Sequence, residues 1–213
     1  DRMVPVFQKY SRNPLHSLSI GVPLAIGAMV GLSFVQGGSF EAMQTNPIQW
    51  MFALIVAFGD GVGLYLLVGL AIWPFILPTL LSIRRSRDSK TTFLTVFVAS
   101  GIIIMSMWIA SLWVYEAIRW DVPLWKNMIS MGNNGRYLTA LSIPVLMLVN
   151  HFFNHRDSYD LAPIRKPMFV AILLVLPLSM LAGLHGQTMW TDDAAELVSL
   201  EIEEGQDFLY IDE

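Results

Sequence analysis

Long apolar runs, separated by short charged or turn-rich stretches, set the pattern of this chain. The runs lie near residues 15–35, 62–83, 92–115, 137–154 and 168–186, and each ends at charges or turn residues. Each is close to the ~20 apolar residues that a helix needs to cross ~30 Å of hydrocarbon. They are continuous rather than alternating, so an outer-membrane barrel is excluded despite many β-branched residues. The pattern predicts an all-α, polytopic membrane protein with about five transmembrane helices.

The second run is too long for one crossing. From Ile48 to Ile83 there are 36 residues with Asp60 as the only charge, roughly 54 Å of helix. Two crossings would carry RRSRDSK to the wrong side, so the economical reading breaks the run. Counting back from Arg84 puts the outer end of the span near Leu64. NPIQWMFALIVAF then lies as a helix in the outer interface, with Pro47 in its first turn and Trp50 as an anchor. AFGDGVGLYLL becomes the corner, where the glycines allow positive φ and Asp60 caps the second span at headgroup depth. Pro74 and Pro78 are expected to kink that span below the corner.

Charge adds an orientation. Of the 13 Lys and Arg residues, ten fall on one side of the five runs: Arg2, Lys9, Arg12, Arg84, Arg85, Arg87, Lys90, Arg156, Arg165 and Lys166. The other side has three: Arg119, Lys126 and Arg136. By the positive-inside rule the N-terminus is cytoplasmic and the C-terminus outside, as in a bacterial inner-membrane protein. The domain reading is a transmembrane part, 1–190, followed by a tail, 191–213. All nine acidic residues after Lys166 sit in that tail, TDDAAELVSLEIEEGQDFLYIDE, within a net charge of -4. Nucleic acid is excluded as a partner, because phosphate neutralisation needs clustered Lys and Arg. There are no cysteines, so thiolate metal sites and disulfides are excluded too. The first run lacks a signal-peptide cleavage pattern, and the opening at Asp1 without Met points to a start lying upstream.

Candidate chemistry is sparse. His151 and His155 in NHFFNHRDSYD have the i, i+4 spacing that puts two imidazoles on one helix face, which suits a metal or haem. Without a glutamate of the HExxH kind, a helix-end role is favoured for the pair. No cofactor is required by the sequence, and haem or metal ligation is left open. The outer rim gathers Asp60, Glu116, Arg119, Asp121, Lys126, Arg136, His185, Asp192 and Asp193, enough titratable groups to line a polar pocket. MSMWIASLWVYEAIRWDVPLW reads as core or interface packing by Trp108, Trp113, Trp120 and Trp125. The small residues Ser100, Gly101, Ser106, Ala110 and Ser111 favour close helix contact.

Over roughly residues 46–193, the order of features resembles the type-2 phosphatidic acid phosphatases, helical membrane enzymes that remove phosphate from lipids on the outer face. That family has an outer corner reading GDG before a long span, as in NPIQWMFALIVAFGDGVGLYLL. Its first motif, a Lys followed by Arg-Pro, corresponds to YEAIRWDVPLWKN, where Glu116 or Arg119 stands at the lysine position. Its Pro-Ser-Gly-His motif corresponds to GNNGRYLTA, which keeps Gly135 but has Arg136 in place of the acid histidine. Its third motif corresponds to LSMLAGLHGQTMWTDDAA, with Ser179, His185 and Asp192 but Met180 in place of arginine. The resemblance implies an outer pocket formed by Asp60, Arg119, Arg136 and His185 that holds a lipid phosphate. The departures remove the acid histidine and the Lys/Arg cradle on which phosphoryl transfer depends.

The expectation is therefore a non-catalytic integral membrane subunit, accessory or scaffold in a membrane protein complex. Its partners would be the lipid bilayer and other membrane-protein subunits. A lipid-phosphatase-like enzyme or lipid-binding protein, and a haem- or metal-binding membrane protein, are the alternatives.

Overall fold

The structure, a computed structural model, describes residues 12–86, 88–130, 132–154 and 162–184. His155, His185 and the acidic tail, for which the sequence raises expectations, lie outside the described residues. By its contacts the chain divides into Asp1–Val175 and Leu176–Glu213. In the second unit the described residues are the end of one helix; the elements and packing of the fold belong to the first.

All described elements are helical. Helix α1, Pro14–Val35, starts where the Asn13 side chain accepts from the Leu15 N–H at 3.2 Å, with Pro14 in the first turn. The cap satisfies an otherwise orphaned donor, and the proline gives up an N–H that would have no partner. A 3-10 turn at Gly38–Glu41 and the short α2, Ala42–Thr45, lead into α3, Pro47–Phe58, with Pro47 in its first turn as expected.

The expected corner at FGDG does not form. Gly59 keeps helical angles (φ -61, ψ -46), and α3 runs on into a π-helical segment, Gly59–Val68. Pro47–Val68 is therefore one apolar helix of 22 residues, and Asp60 caps nothing. Glycines permit a bend without requiring one. Here the ladder adjusts by lengthening its hydrogen bonds to i→i+5, as in Gly69 N–H to Leu64 O at 2.7 Å.

The break comes ten residues later. Ala71 adopts φ 54, Ile72 N–H donates to Leu67 O at 3.0 Å, and Ala71 N–H donates to Val68 O at 2.9 Å. This pair is the Schellman ending, followed by Pro74, which cannot continue a helix. An alanine in the left-handed region costs about 1–2 kcal/mol, so the stop is imposed by the two hydrogen bonds and the proline rather than by local preference. A 3-10 turn, Trp73–Phe75, and α4, Ile76–Arg85, follow.

Helix α5, Ser89–Arg119, is the longest element and the centre of the packing. It ends by the same device. Asp121 has φ 49, Val122 N–H donates to Ala117 O at 2.9 Å, Asp121 N–H donates to Ile118 O at 3.2 Å, and Pro123 follows. The DVP triplet is thus a helix stop. Then come α6, Leu124–Ser130, a 3-10 segment, Gly132–Leu141, α7, Ser142–Asn154, and α8, Ala162–Leu184.

Ile109, Ala110, Trp113 and Val114 of α5 are buried against Ala53 and Ala57 of α3, Met29 of α1 and Leu138 of the 3-10 segment. Alanines on both faces let α3 and α5 approach closely, as small residues do between membrane helices. Trp50 is part of this core rather than an interface anchor: it is buried, and its Nε1–H donates to Ser111 Oγ at 2.9 Å. Asn127 Nδ2 donates to the Trp113 carbonyl at 2.7 Å and ties α6 to α5. Of the four tryptophans read as core or interface packing, Trp113 is core, Trp108 meets Tyr137 edge-on at 4.7 Å, and Trp120 and Trp125 are exposed.

Large apolar side chains cover the outside, among them Leu24, Ile48, Phe93, Ile143 and Phe169. Pro14–Val35, Pro47–Val68 and Ser89–Arg119 are long and apolar enough to cross a bilayer, and their outward faces suit hydrocarbon rather than water.

Candidate functional site

Asp60 lies in the middle of the π segment's helix, 13 residues after Pro47 and eight before Val68. Two contacts give its height in the bundle. A β-carbon built on Gly101 would meet Leu141 Cδ2 at 2.8 Å, and one on Gly61 would meet Leu138 Cδ1 at 2.8 Å. Gly101 is near the midpoint of α5, and Leu138 is one 3-10 turn from Leu141, about 6 Å along the axis. Phe58 and Ile103 also line one cavity. Asp60 is thus level with the middle of α5 and inside a continuous helix, not at the helix corner that the sequence pattern predicts.

The carboxyl group is half-buried, and its Oδ2 is enclosed without a hydrogen-bond partner among the described residues. Burying a polar oxygen unpaired costs about 1–3 kcal/mol by mutational measure, and an ionised group in hydrocarbon costs more. The backbone around it is equally unusual, since π-helical turns are rare and recur at functional positions. On the same stretch Gly59 and Gly63 face open space: a β-carbon at either would touch none of the described residues within 4 Å. Gly61 is the opposite case, packed under the fully buried Leu138.

Of the other residues expected at the pocket, Arg119 is placed apart from Asp60 and His185 lies outside the described residues. Arg119 ends α5, about 15 residues beyond the level of Asp60 or roughly 22 Å along the helix, and its guanidinium sits 5.2 Å from the centre of the Trp120 ring. Arg136 belongs to the 3-10 segment Gly132–Leu141, its side chain lying outside the described residues. Asp60 and Arg119 are not brought together.

His151 has a definite setting at the opposite end of α5. Asp88 is the N-cap of that helix, and its Oδ2 accepts from the Thr91 backbone N–H at 3.0 Å and from the Thr91 hydroxyl at 3.1 Å. With its proton given to the carboxylate, Thr91 Oγ1 accepts from His151 Nε2 at 2.9 Å. The chain Asp88–Thr91–His151 therefore joins α5 to α7. The sequence signal for the cap is DSKT, an Asp three residues before a Thr at the start of an apolar run, but nothing in the sequence pairs it with His151. Among the described residues, no group of three His, Asp or Glu side chains is gathered that could hold a metal ion.

The Asp88 carboxyl is held below its usual pKa, chiefly by the Thr91 N–H, with the Thr91 hydroxyl adding to it and burial opposing it. A depressed carboxylate contributes stability above its unfolded value, near ~3.9, and loses it as pH falls through the lower folded value. Asp88→Ala is expected to cost roughly 0.5–1 kcal/mol at pH 7, the low end of capping effects because the group is exposed. In thermal unfolding in detergent, the gap between Asp88→Ala and the native chain should close as pH is taken below the folded value. A gap that persists there assigns the loss to something other than the cap.

Comparison with protein-family models, with curated proteins and with solved structures gives no match.

Proposed function

We propose that this chain is a non-catalytic integral membrane subunit that serves as an accessory or scaffold in a membrane protein complex. The observation that carries the reading is Asp60, a half-buried carboxyl with an enclosed unpaired oxygen at mid-height of membrane-length helices. Intramembrane carboxyls that persist despite their cost usually serve a function, and they commonly pair with another polar group. Gly59 and Gly63, four residues apart and open to space, supply the small-residue face on which a second helix can approach closely. A partner helix that brings a hydrogen-bond donor to that face would offset the cost.

The continuous helix Pro47–Val68 takes the place of 62–83 as the second of five crossings. The charge asymmetry survives the change: Arg84, Arg85, Arg87 and Lys90 still fall on the side of the N-terminus. The orientation with a cytoplasmic N-terminus and an outer acidic tail, as in a bacterial inner membrane, rests on the same rule. The departures from the phosphatase motifs at Glu116, Arg136 and Met180 favour a role without catalysis.

The test is purification of the tagged full chain from its native membranes in mild detergent. The reading expects at least one other membrane protein to stay with it at a fixed ratio through size exclusion. A strictly monomeric chain without a companion overturns it.

A further inference from the structure

Helix α4 is short and two-sided. Thr79 and Ile83 are buried, while Leu77, Leu80 and Leu81 are exposed on the other side. Arg84 and Arg85 prolong that outer face, standing four residues after Leu80 and Leu81, and both are exposed. Leu77 to Arg84 covers about 10 Å along the axis. An apolar stripe thus runs up to a pair of guanidiniums at the end of the helix.

Positive charge collects at this end of the bundle. The link from α4 to α5 is tight: Ser86 N–H donates to Ile83 O at 3.1 Å, and Asp88 N–H donates to Ser86 Oγ at 3.2 Å. Lys90, also exposed, stands in the first turn of α5. A β-carbon on Gly21 would meet Val96 Cγ1 at 2.6 Å, and further along Val30 and Met107 line one groove. Helices α1 and α5 therefore run parallel, which brings the exposed Arg12 to the same end. Among the described residues the one carboxylate here is Asp88, and its Oδ2 is committed to the Thr91 N–H and hydroxyl. Arg84, Arg85 and Lys90 form no ion pair among the described residues.

We infer that the outer face of α4 binds an anionic phospholipid. Its acyl chains lie along Leu77, Leu80 and Leu81, and Arg84 and Arg85 hold the phosphodiester. Planar guanidiniums offer paired N–H donors that match phosphate oxygens, and basic clusters beside a membrane helix draw anionic headgroups. A zwitterionic headgroup fits less well, because its ammonium would be set among like charges. Free phosphate fits less well too, because it leaves the leucines uncovered. The site is at the opposite end of α5 from Arg119, and it depends neither on Asp60 nor on a partner chain.

The full chain is purified in a neutral detergent and given equimolar dioleoylphosphatidylglycerol and dioleoylphosphatidylcholine. Retained lipid is counted by native mass spectrometry. The anionic lipid should be retained about tenfold over the zwitterionic one, the equivalent of ~1.4 kcal/mol. Arg84→Gln combined with Arg85→Gln should bring the two lipids close to parity. Arg84→Lys combined with Arg85→Lys keeps the charge without the planar fork and should restore a clear part of the preference. Arg119→Gln combined with Lys126→Gln removes two exposed cations from the other end and should leave the preference as it was. Equal retention of both lipids by the native chain overturns the proposal. So does an equal loss in the Arg119 and Lys126 pair, which marks attraction to overall charge only. A lysine pair as low as the glutamine pair places the loss in the fold and overturns it as well. Displacement of the bound lipid by equimolar inorganic phosphate would make this an anion site without a lipid and has the same consequence.

Discussion

Asp60→Leu is expected to lower recovery of partner subunits at least tenfold in the native-membrane purification while making the isolated chain more stable. The two effects have one cause. In the chain by itself, Asp60 contributes an enclosed oxygen with no hydrogen-bond partner among the described residues, level with the middle of α5. Replacing it by an apolar side chain removes that cost, about 2.5–3.5 kcal/mol for an Asp at the helix centre on insertion-based measures. A tenfold loss of recovery corresponds to about 1.4 kcal/mol of association free energy, less than a charge-assisted hydrogen bond in a dry interface can supply. Asp60→Asn, which keeps a polar side chain of the same size, should retain part of the association and little of the added stability. The measurements are quantitative mass spectrometry of the co-purified chains and thermal unfolding in detergent. Association that is unchanged in Asp60→Leu would remove Asp60 from the interface, even if the subunit reading held. Lower stability in Asp60→Leu would mean that the carboxyl is satisfied within the chain.

The same residue separates what is legible in the sequence from what is not. Apolar run length makes the helical membrane character legible, because a bilayer sets a length that a composition can be counted against. The ends of the helices are legible where local chemistry decides them: Pro14 and Pro47 open helices, and Asn13 caps α1. The break inside 48–83 is not. GDG and Pro74 both read as breaks, and the glycine signal is the more conspicuous. Yet a glycine only removes a steric bar, whereas Ala71 is fixed in the left-handed region by two hydrogen bonds and a following proline. With the break ten residues later, Asp60 passes from headgroup depth to the middle of the bundle. Trp50 differs from expectation for a related reason. Tryptophan at an expected interface is common, and only packing against Ser111 from 61 residues away places it in the core. The pairing of Thr91 with His151 is another contact across 60 residues, of a kind that no local pattern encodes.

Gly69→Ala is expected to be the most destabilising alanine substitution among the described glycines. A β-carbon there would lie 2.5 Å from the Tyr65 carbonyl oxygen and 3.2 Å from that of Leu64. Both are backbone atoms, so no side chain can rotate away to make room. Gly69 N–H is also the donor of the i→i+5 bond to Leu64 that closes the π segment. Relief requires the last turn to rewind, which shifts the register of every residue back to Gly59 relative to the 3-10 segment it packs on. Overpacking of this sort costs typically 1–3 kcal/mol, and the upper part of that range is expected because a backbone hydrogen bond is lost with it. Gly63→Ala makes the contrast, since its β-carbon meets nothing within 4 Å. It should leave the isolated chain unchanged or slightly more stable, because alanine is the better helix former by about 1 kcal/mol. Gly63→Ala should nonetheless weaken partner recovery if a second helix rests on that face. Thermal unfolding of both variants in the same detergent, read beside co-purification, separates the two roles. Equal stability of Gly69→Ala and Gly63→Ala would show that the π turn is not closed through Gly69, and the height assigned to Asp60 would have to be revised with it.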